Sequence, residues 1–272
     1  MGYFKSSMMP NILHEILATR KKSLARQIEL FESTSLDPNN SPRIPLSKNI
    51  PKNEEISIIS EIKPSSPSLG TIKSNICVAE LAKEMEHAGV VGLSILTEPN
   101  YFKGSFENLR EARRATRIPC LMKDFIFHES QFQIAKKIGA TNILLINQLG
   151  NLEKLYELAL QYGLEPLIEI HDQKELEELR HLRDIGHIAP LVGINNRNLN
   201  TMKIDLNTSK ELIPQVKEIL GENTIIVSES GVHSEEDISF LHSNGADAFL
   251  IGSSIMKSEN IPKKIHQLRG IG

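Results

Sequence analysis

The chain has 272 residues, enough for one large α/β domain, and a formal net charge of −3 with acidic and basic residues interspersed. That balance provides no basic tract for nucleic acid or for an anionic membrane surface, so the predicted partner is a small molecule. The chain has two distant cysteines, Cys77 and Cys120, which predicts a reducing compartment and no disulfide framework. The N-terminus lacks the apolar core of a signal peptide and no apolar run is long enough to span a membrane, so we expect a cytoplasmic protein.

The first predicted element is a helix over residues 11–31, where apolar residues recur at steps of three and four. Prolines, asparagines and charges without a period follow it, which predicts an irregular connector over residues 35–55. We therefore expect an N-terminal helical extension and connector over residues 1–55 and a catalytic domain over residues 56–272.

Short apolar runs recur from residue 56 onward, and their starts lie about 23 to 35 residues apart, the length of a strand, a helix and two loops. The runs are ISIISEI (56–62), VVGLSIL (90–96), IPCLMKD (118–124), NILLIN (142–147), EPLIEI (165–170), PLVGIN (190–195), TIIVSES (224–230) and DAFLIGS (247–253). An amphipathic helical pattern follows each run, and several of these patterns end at glycine.

Continuous apolar runs predict strands that are buried on both faces, so these repeated units close most economically as a (β/α)8 barrel with an additional N-terminal helix. An open, doubly wound sheet is the alternative fold, but it usually has fewer strands and a glycine-rich loop after the first one. Catalytic residues of such barrels lie at the C-terminal ends of the strands. We therefore expect the catalytic residues at the C-terminal ends of these strands.

Polar residues follow nearly every predicted strand, although each one alone could be a solvated strand end or a helix cap. They are Glu61 and Lys63, Thr97 and Glu98, Lys123 and Asp124, Asn147, Glu169 and His171, Asn195 and Arg197, Glu229 with Ser230 and Gly231, and Gly252 with Ser253. Lysines and glutamates beside an apolar barrel mouth can take different pKa values, which predicts acid–base chemistry. Neither a Ser-His-Asp order nor an HExxH motif is present, which disfavours hydrolysis by a nucleophile or zinc.

The last two strands predict a phosphate site. SESG (228–231) and IGSS (251–254) combine small residues with backbone amides at the strand ends where barrels commonly bind phosphate, although glycines there could also be ordinary loop residues. The loop over residues 64–70 after the first strand would close over the same side, because the first and last strands are neighbours in a closed barrel. His171 is ambiguous, whereas the other histidines fall in helices or loops.

Several stretches resemble the indole-3-glycerol phosphate synthase family of tryptophan biosynthesis, in order and on successive strands over residues 56–256. They are IISEIKPSSPS, SILTEPNYFKGSFENL, PCLMKDFI, NILLI, PLIEIHD, GINNRNL, VSESGV and DAFLIGSSIM. The resemblance implies a carboxy-lyase that converts 1-(2-carboxyphenylamino)-1-deoxyribulose 5-phosphate to indole-3-glycerol phosphate, with loss of carbon dioxide and water. It also implies that no cofactor or metal is needed, and that other tryptophan-pathway enzymes are candidate partners.

The resemblance implies roles for the catalytic candidates. Lys123 would protonate the ribulose carbonyl oxygen, Lys63 would pair with the substrate carboxylate and is a second candidate proton donor, and Glu169 would remove the later proton. Glu61 would orient the lysines and the departing hydroxyl, and Asn195 would bind substrate hydroxyl or amine groups.

The resemblance also implies the substrate-binding residues. Arg197 and Glu229 would support the strand ends, Ser66, Gly231, Gly252 and Ser253 would contact phosphate with Ser230 beside them, and Phe102, Phe125, Leu145 and Leu250 would form the apolar walls.

Two other functions remain open at this point. Lys123 or Lys63 could instead be a Schiff-base nucleophile of an aldolase-type barrel. The chain could also be an inactive barrel that binds phosphorylated metabolites or assembles with other proteins, although the intact set of lysines and glutamates argues against this function.

Overall fold

The computed structural model describes residues 12–32, 44–51, 55–67, 69–73, 76–199 and 201–271, without side chains for residues 30–32. Eight of the described strands are β1 Ser57–Ile62, β2 Gly92–Leu96, β3 Cys120–Lys123, β4 Asn142–Ile146, β5 Glu165–Ile170, β6 Leu191–Asn195, β7 Ile225–Glu229 and β8 Ala248–Ile251. They are parallel and form a closed barrel in the order β1-β8-β7-β6-β5-β4-β3-β2. The predicted (β/α)8 barrel is confirmed, and the doubly wound alternative was wrong.

Helices alternate with these strands and cover the outside of the barrel. The described helices are α1 Ile12–Glu32, α2 Leu46–Asn49, α3 Val78–His87, α4 Phe106–Ala115, α5 Glu129–Ile138, α6 Leu152–Gln161, α7 Leu176–Asp184, α8 Asn207–Leu220, α9 Glu235–Ser243, α10 Ser253–Met256 and α11 Ile261–Leu268. A short antiparallel hairpin, Ser65–Ser66 with Gly70–Thr71, follows β1. Apart from the short helices α2 and α10, these helices agree with the amphipathic patterns of the sequence.

The two faces of each strand pack into two different apolar layers, because strand side chains alternate in direction. In β4, Leu144 and Ile146 belong to the layer inside the barrel. Ile143 and Leu145 belong to the layer between the strands and the outer helices. The prediction that Leu145 forms a wall of the substrate site was therefore wrong, since its side chain is fully buried on the opposite face of the strand.

Helix α1 packs on the C-terminal end of the barrel and confirms the predicted N-terminal helix. Leu13 and Ile16 join the apolar layer inside the barrel. One turn further on, Arg20 is fully buried, and its guanidinium binds both oxygens of Asp124 at 2.7 and 2.8 Å. The Thr97 hydroxyl and the Phe125 amide also donate to Asp124, at 2.6 and 2.8 Å. The extension is therefore fastened to the residue that follows Lys123.

We expect Arg20→Leu to lower the free energy of unfolding by about 3–5 kcal/mol, because it leaves the Asp124 carboxylate buried without its cation. The control is the double variant Arg20→Leu/Asp124→Asn, which removes the charge as well and should recover part of the loss. Urea unfolding at pH 7 measures both. A double variant that is less stable than Arg20→Leu would contradict this view of the pair.

Helix α2 closes the opposite, N-terminal end of the barrel. Its Leu46 amide donates to the Asn142 side chain at 3.1 Å, and the Ser47 amide donates to the Glu165 carboxylate at 3.0 Å. Asn142 and Glu165 are the first residues of β4 and β5. The prediction of an irregular connector was therefore wrong over Leu46–Asn49, while residues 35–43 and 52–54 of that connector lie outside the described residues.

Candidate active site

A cavity of about 440 Å³ opens at the C-terminal end of the barrel, and we call it the mouth cavity. All the residues to which the family resemblance assigns a role, except Leu145, line it. They are Glu61, Lys63, Ser66, Phe102, Lys123, Phe125, Glu169, Asn195, Arg197, Glu229, Ser230, Gly231, Leu250, Gly252 and Ser253. Residues that are far apart in the sequence meet here because parallel strands all end on the same side of the barrel.

Lys123, at the end of β3, is held between two carboxylates. Its Nζ lies 2.5 Å from Oε2 of Glu229 and 3.3 Å from Oε2 of Glu169. Both glutamates are almost fully buried, at 1 % and 2 % exposure, and they come from β7 and β5. We call these three residues the Lys123 cluster. The arrangement brings one cation and two acids to the floor of an apolar cavity, where their charges interact strongly.

Burial and mutual charge set the protonation of the Lys123 cluster. Burial disfavours the ammonium form of Lys123, but the neighbouring carboxylates outweigh it and hold the pKa of Lys123 above its ordinary value. Burial would raise the pKa of Glu169, but the contacts with Lys123 and His171 outweigh that effect and hold the pKa well below its usual range. Burial and the charge of Glu169 raise the pKa of Glu229 to about 8 despite the ammonium beside it. At neutral pH the cluster therefore holds the Lys123 ammonium beside an ionised Glu169.

Gly193 makes room for this cluster. A Cβ added at Gly193, on the neighbouring strand β6, would collide with Oε1 of Glu229. That oxygen is buried and has no hydrogen-bond partner among the residues that the structure describes. A larger residue at this position would push the Glu229 carboxylate away from its place beside Lys123.

A second pair of charges lies at the end of β1. Nζ of Lys63 is 2.5 Å from Oε1 of Glu61, and the two side chains are 17 % and 4 % exposed. Because Glu61 and Lys63 are two residues apart, they face the same side of the strand, as the sequence predicted. The charge of Glu61 also helps to raise the pKa of Lys123. The two lysines and their carboxylates therefore belong to one connected electrostatic unit.

The turns after β7 and β8 lie side by side at another part of the mouth cavity. The Asn196 side-chain Nδ2 donates to the carbonyl oxygens of Glu229 and Ser230, at 3.0 and 3.1 Å, which holds the first turn in place. The Ser254 hydroxyl of the second turn donates to the Val232 carbonyl of the first at 3.1 Å. Ser66 of the hairpin also lines the cavity. The small residues predicted to contact phosphate are thus brought together.

Apolar side chains cover the rest of the mouth cavity. Phe102 and Phe125 form a tilted ring pair with centroids 6.2 Å apart, and Leu250 lies at the end of β8. The sequence predicted these three but missed two further groups. Ile12, Leu13 and Ile16 of α1 line the cavity, as do Leu199, Met202 and Ile204 of the segment after β6. The apolar face of α1 is visible in the sequence, but nothing there shows what it covers.

Other polar residues at the strand ends support the backbone. The Glu98 carboxylate accepts from the amides of Asn100, Tyr101 and Phe102 at 2.7–3.0 Å and so shapes the loop that carries Phe102. The Asn147 side chain donates to the Glu175 carbonyl at 2.9 Å. Cys120 lies at the start of its strand, and burial raises the pKa of its thiol to about 12, which makes it a poor nucleophile.

Two features are absent from the part of the chain that the structure describes. Among those residues, no group of three or more histidine, cysteine, aspartate or glutamate side chains is arranged to hold a metal ion. Within the same residues, no helix has both the length and the apolar character needed to cross a membrane.

Comparison with known structures shows the fold. A mutant tryptophan synthase α-subunit from the hyperthermophile Pyrococcus furiosus superposes with a TM-score of 0.59 at 18% sequence identity, covering 79% of this chain and 98% of that chain. At this identity the likeness supports the barrel architecture and nothing further.

Comparison of sequences shows the family. The model of the family described as indole-3-glycerol phosphate synthase matches residues 13–268. An indole-3-glycerol phosphate synthase of Methanocaldococcus jannaschii is 41% identical, covering 94% of this chain and 98% of its own. Another, from Campylobacter hominis, is 37% identical, covering 96% and 100%. Together with the barrel and the residues of its mouth cavity, these matches show that the chain belongs to the indole-3-glycerol phosphate synthase family.

Proposed function

We propose that the mouth cavity converts 1-(2-carboxyphenylamino)-1-deoxyribulose 5-phosphate to indole-3-glycerol phosphate, carbon dioxide and water, with Lys123 as the general acid. The observation that carries this assignment of roles is the Lys123 cluster, a buried ammonium held between two carboxylates at the floor of an apolar cavity. Membership of the family makes the chain a carboxy-lyase of tryptophan biosynthesis. The test is the appearance of the indole absorption band when the purified chain is mixed with this substrate, and unchanged absorbance with a folded chain would contradict the proposal.

The cavity has a place for each part of the substrate. The phosphate would bind the turns that carry Ser230 and Gly231 and Gly252 and Ser253, and the aromatic ring would lie against Phe102, Phe125 and Leu250. The ribulose chain would then cross the space between the two lysines. Holding the aromatic carbon next to the carbonyl carbon in this way would account for much of the rate acceleration. The flexible substrate would be bound in the conformation from which the ring can close.

Lys123 suits the role of proton donor because its neighbours keep it protonated. As the aromatic carbon attacks the ribulose carbonyl carbon, negative charge develops on the carbonyl oxygen, and the ammonium can neutralise it in a site that excludes water. Lys63 would pair with the substrate carboxylate until carbon dioxide leaves. Glu61, which lies against Lys63, would orient the lysines and assist the departing hydroxyl group.

Glu169 suits the role of base for the later proton removal that restores aromaticity. Its pKa lies below the usual range, so the carboxylate is ionised at neutral pH and ready to accept a proton. Asn195, at the end of β6, would bind substrate hydroxyl or amine groups, and its Oδ1 accepts from the Arg197 amide at 3.0 Å. Arg197 in turn donates to the Met202 carbonyl at 3.2 Å, which supports the loop over the cavity.

The raised pKa of Lys123 argues against a Schiff-base mechanism, because an imine forms only from the neutral amine. We therefore expect borohydride, added during turnover, to leave the mass of the chain unchanged. Intact-protein mass spectrometry measures this result. A substrate-dependent adduct on Lys123 or Lys63 would favour the aldolase-type alternative.

We expect Ser253→Asp to raise KM for the phosphorylated substrate at least about tenfold, because a carboxylate would lie where the phosphate binds and like charges repel. Gly252 is less suitable for this test, since a Cβ there would lie 2.5 Å from Oε1 of Glu61 and disturb the charged pair. Steady-state kinetics should show a much smaller effect for Ser253→Ala, and the dephosphorylated analogue should bind both variants alike. An equal loss of affinity for the two ligands would place the phosphate elsewhere.

Three further features are part of the proposal. The chain consists of an N-terminal extension over residues 1–55 and a catalytic barrel over residues 56–272. The cytoplasm is its compartment, consistent with free thiols at Cys77 and Cys120. Other enzymes of the tryptophan pathway are its candidate protein partners, because they supply its substrate and consume its product.

A further inference from the structure

A buried histidine lies directly beside Glu169 but is not among the residues that line the mouth cavity. His171 is two residues beyond Glu169 on the same strand side, and its side chain is 5 % exposed. Its Nε2 lies 3.1 Å from Oε1 of Glu169, while Lys123 lies 3.3 Å from Oε2 of the same carboxylate. The two oxygens of Glu169 therefore have separate cationic neighbours.

A second carboxylate lies on the far side of the imidazole. Oε1 of Glu175 lies 3.6 Å from Nδ1 of His171, and Oε2 of Glu175 accepts from the His171 backbone amide at 3.3 Å. The Asn147 side chain, at the end of β4, donates to the Glu175 carbonyl at 2.9 Å. The short 3-10 turn Gln173–Glu175 is thus held from two sides, and the imidazole lies between two acids.

The charges around His171 keep it protonated. Burial alone would lower its pKa, but the contacts with Glu169 and Glu175 outweigh that effect and raise the pKa to about 10. The ring is therefore an imidazolium at neutral pH. The charged groups that face it directly or through these two carboxylates are Glu169, Glu175, Asp172, Lys123 and Glu229.

We propose that His171 is a positioning residue for the reaction: its imidazolium holds Oε1 of Glu169, so that Oε2 stays beside Lys123 and the carboxylate remains ionised as the base. The inference rests on the proposed role of Glu169. The histidine does not line the mouth cavity, so it would act through Glu169 and not on the substrate directly. Its effect should therefore appear in the chemical step and its pH dependence and not in the binding of substrate.

His171→Gln tests this role, because glutamine keeps a polar side chain but cannot carry the charge. We expect kcat to fall about tenfold, less than the loss of the base itself would cost, while KM stays nearly unchanged. Without the imidazolium Glu169 binds a proton more readily, so the acidic limb of the kcat–pH profile should move to higher pH. His171→Asn provides a second uncharged variant should the first fail to fold.

The matched control is His181→Gln. His181, on the outer helix α7, lies 2.9 Å from Glu153 in an exposed pair with the same chemistry, and neither residue lines the mouth cavity. This variant should keep both kcat and the pH profile of the unchanged chain. Thermal unfolding of all variants separates a loss of fold from a loss of positioning.

Variants of Glu169 distinguish failure of this inference from failure of the proposed base. If Glu169→Gln has a strongly reduced kcat, then adding His171→Gln to it should lower kcat little further, because the two residues act on one step. If Glu169→Gln is inactive while folded His171→Gln keeps its kcat and its acidic limb, His171 has no positioning role. A His171→Gln variant that loses stability with an unmoved acidic limb would likewise exclude that role. Near-normal kcat in Glu169→Gln would overturn the base and this inference together.

Discussion

Replacing Lys123 with alanine is expected to lower kcat by at least ~10²-fold, because the reaction loses the proton donor to its developing alkoxide. Substrate binding should persist, since the turns proposed to bind phosphate follow β7 and β8, and Phe102 and Leu250 come from βα units other than that of Lys123. A group that acts mainly on charge developing in the transition state lowers kcat and kcat/KM together and leaves KM nearly unchanged. Steady-state kinetics that follow the indole absorption band measure both parameters.

The alanine variant also leaves Glu169 and Glu229 without their shared cation, so its folding has to be measured beside its activity. Circular dichroism and thermal unfolding provide that measurement. Lys210→Ala, an exposed lysine on α8 outside the mouth cavity, is the control and should keep full activity. A folded Lys123→Ala variant with near-normal kcat would remove Lys123 from the role of acid.

The second large effect is expected at the end of β1, where Glu61 and Lys63 lie 2.5 Å apart. Glu61→Gln should lower kcat by roughly 10²-fold, because the neutral amide no longer orients the lysines by charge. Lys63→Met should also raise KM, since the substrate carboxylate loses its counter-charge. The glutamine variant should leave KM nearly unchanged, and this difference separates the two roles.

The double variant Glu61→Gln/Lys63→Met tests whether the pair acts as a unit. Residues in contact that serve one step are not additive, so the double variant should be at least about tenfold more active than the product of the two single losses. The measurement is kcat/KM for all four chains under the same conditions. Strictly multiplicative losses would show that the two charges work independently.

The barrel and most of the predicted residues that line the mouth cavity could be found from the sequence because two strong signals coincide. Apolar runs at regular intervals indicated the strands, and polar residues at their C-terminal ends indicated the site. Glu61 and Lys63 illustrate this, since the period of two places both on the inner face at the end of β1. Lys123 and Glu169 followed from the same rule on β3 and β5.

Leu145 could not be assigned correctly because the run NILLIN is apolar at every position between its two asparagines. Alternation then carries no information, and either set of side chains could face the interior. The pairing of Ile146 with Glu169 on the neighbouring strand decides the direction, and it places Leu144 and Ile146 inside. That register depends on hydrogen bonds between strands, which a single sequence does not show.

The contribution of α1 was missed for a related reason. The helix itself is evident from its period, but its contact with the mouth cavity depends on the buried pair of Arg20 and Asp124, 104 residues apart. The role of Gly193 was missed for the same reason, because it consists of the space that this glycine leaves for Glu229 on the next strand. Such contacts are properties of the packed structure.

The central claim is that the mouth cavity carries out ring closure with decarboxylation. The most direct measurement uses substrate labelled with ¹³C in the carboxyl group, in buffer treated with a chelator, and counts labelled carbon dioxide and indole product in the same sample. The account predicts one molecule of labelled carbon dioxide for each molecule of indole-3-glycerol phosphate with the unchanged chain, and initial rates of both products at least ~10²-fold lower with Lys123→Ala. Indole formation without release of the label, or equal initial rates from both chains, would contradict it.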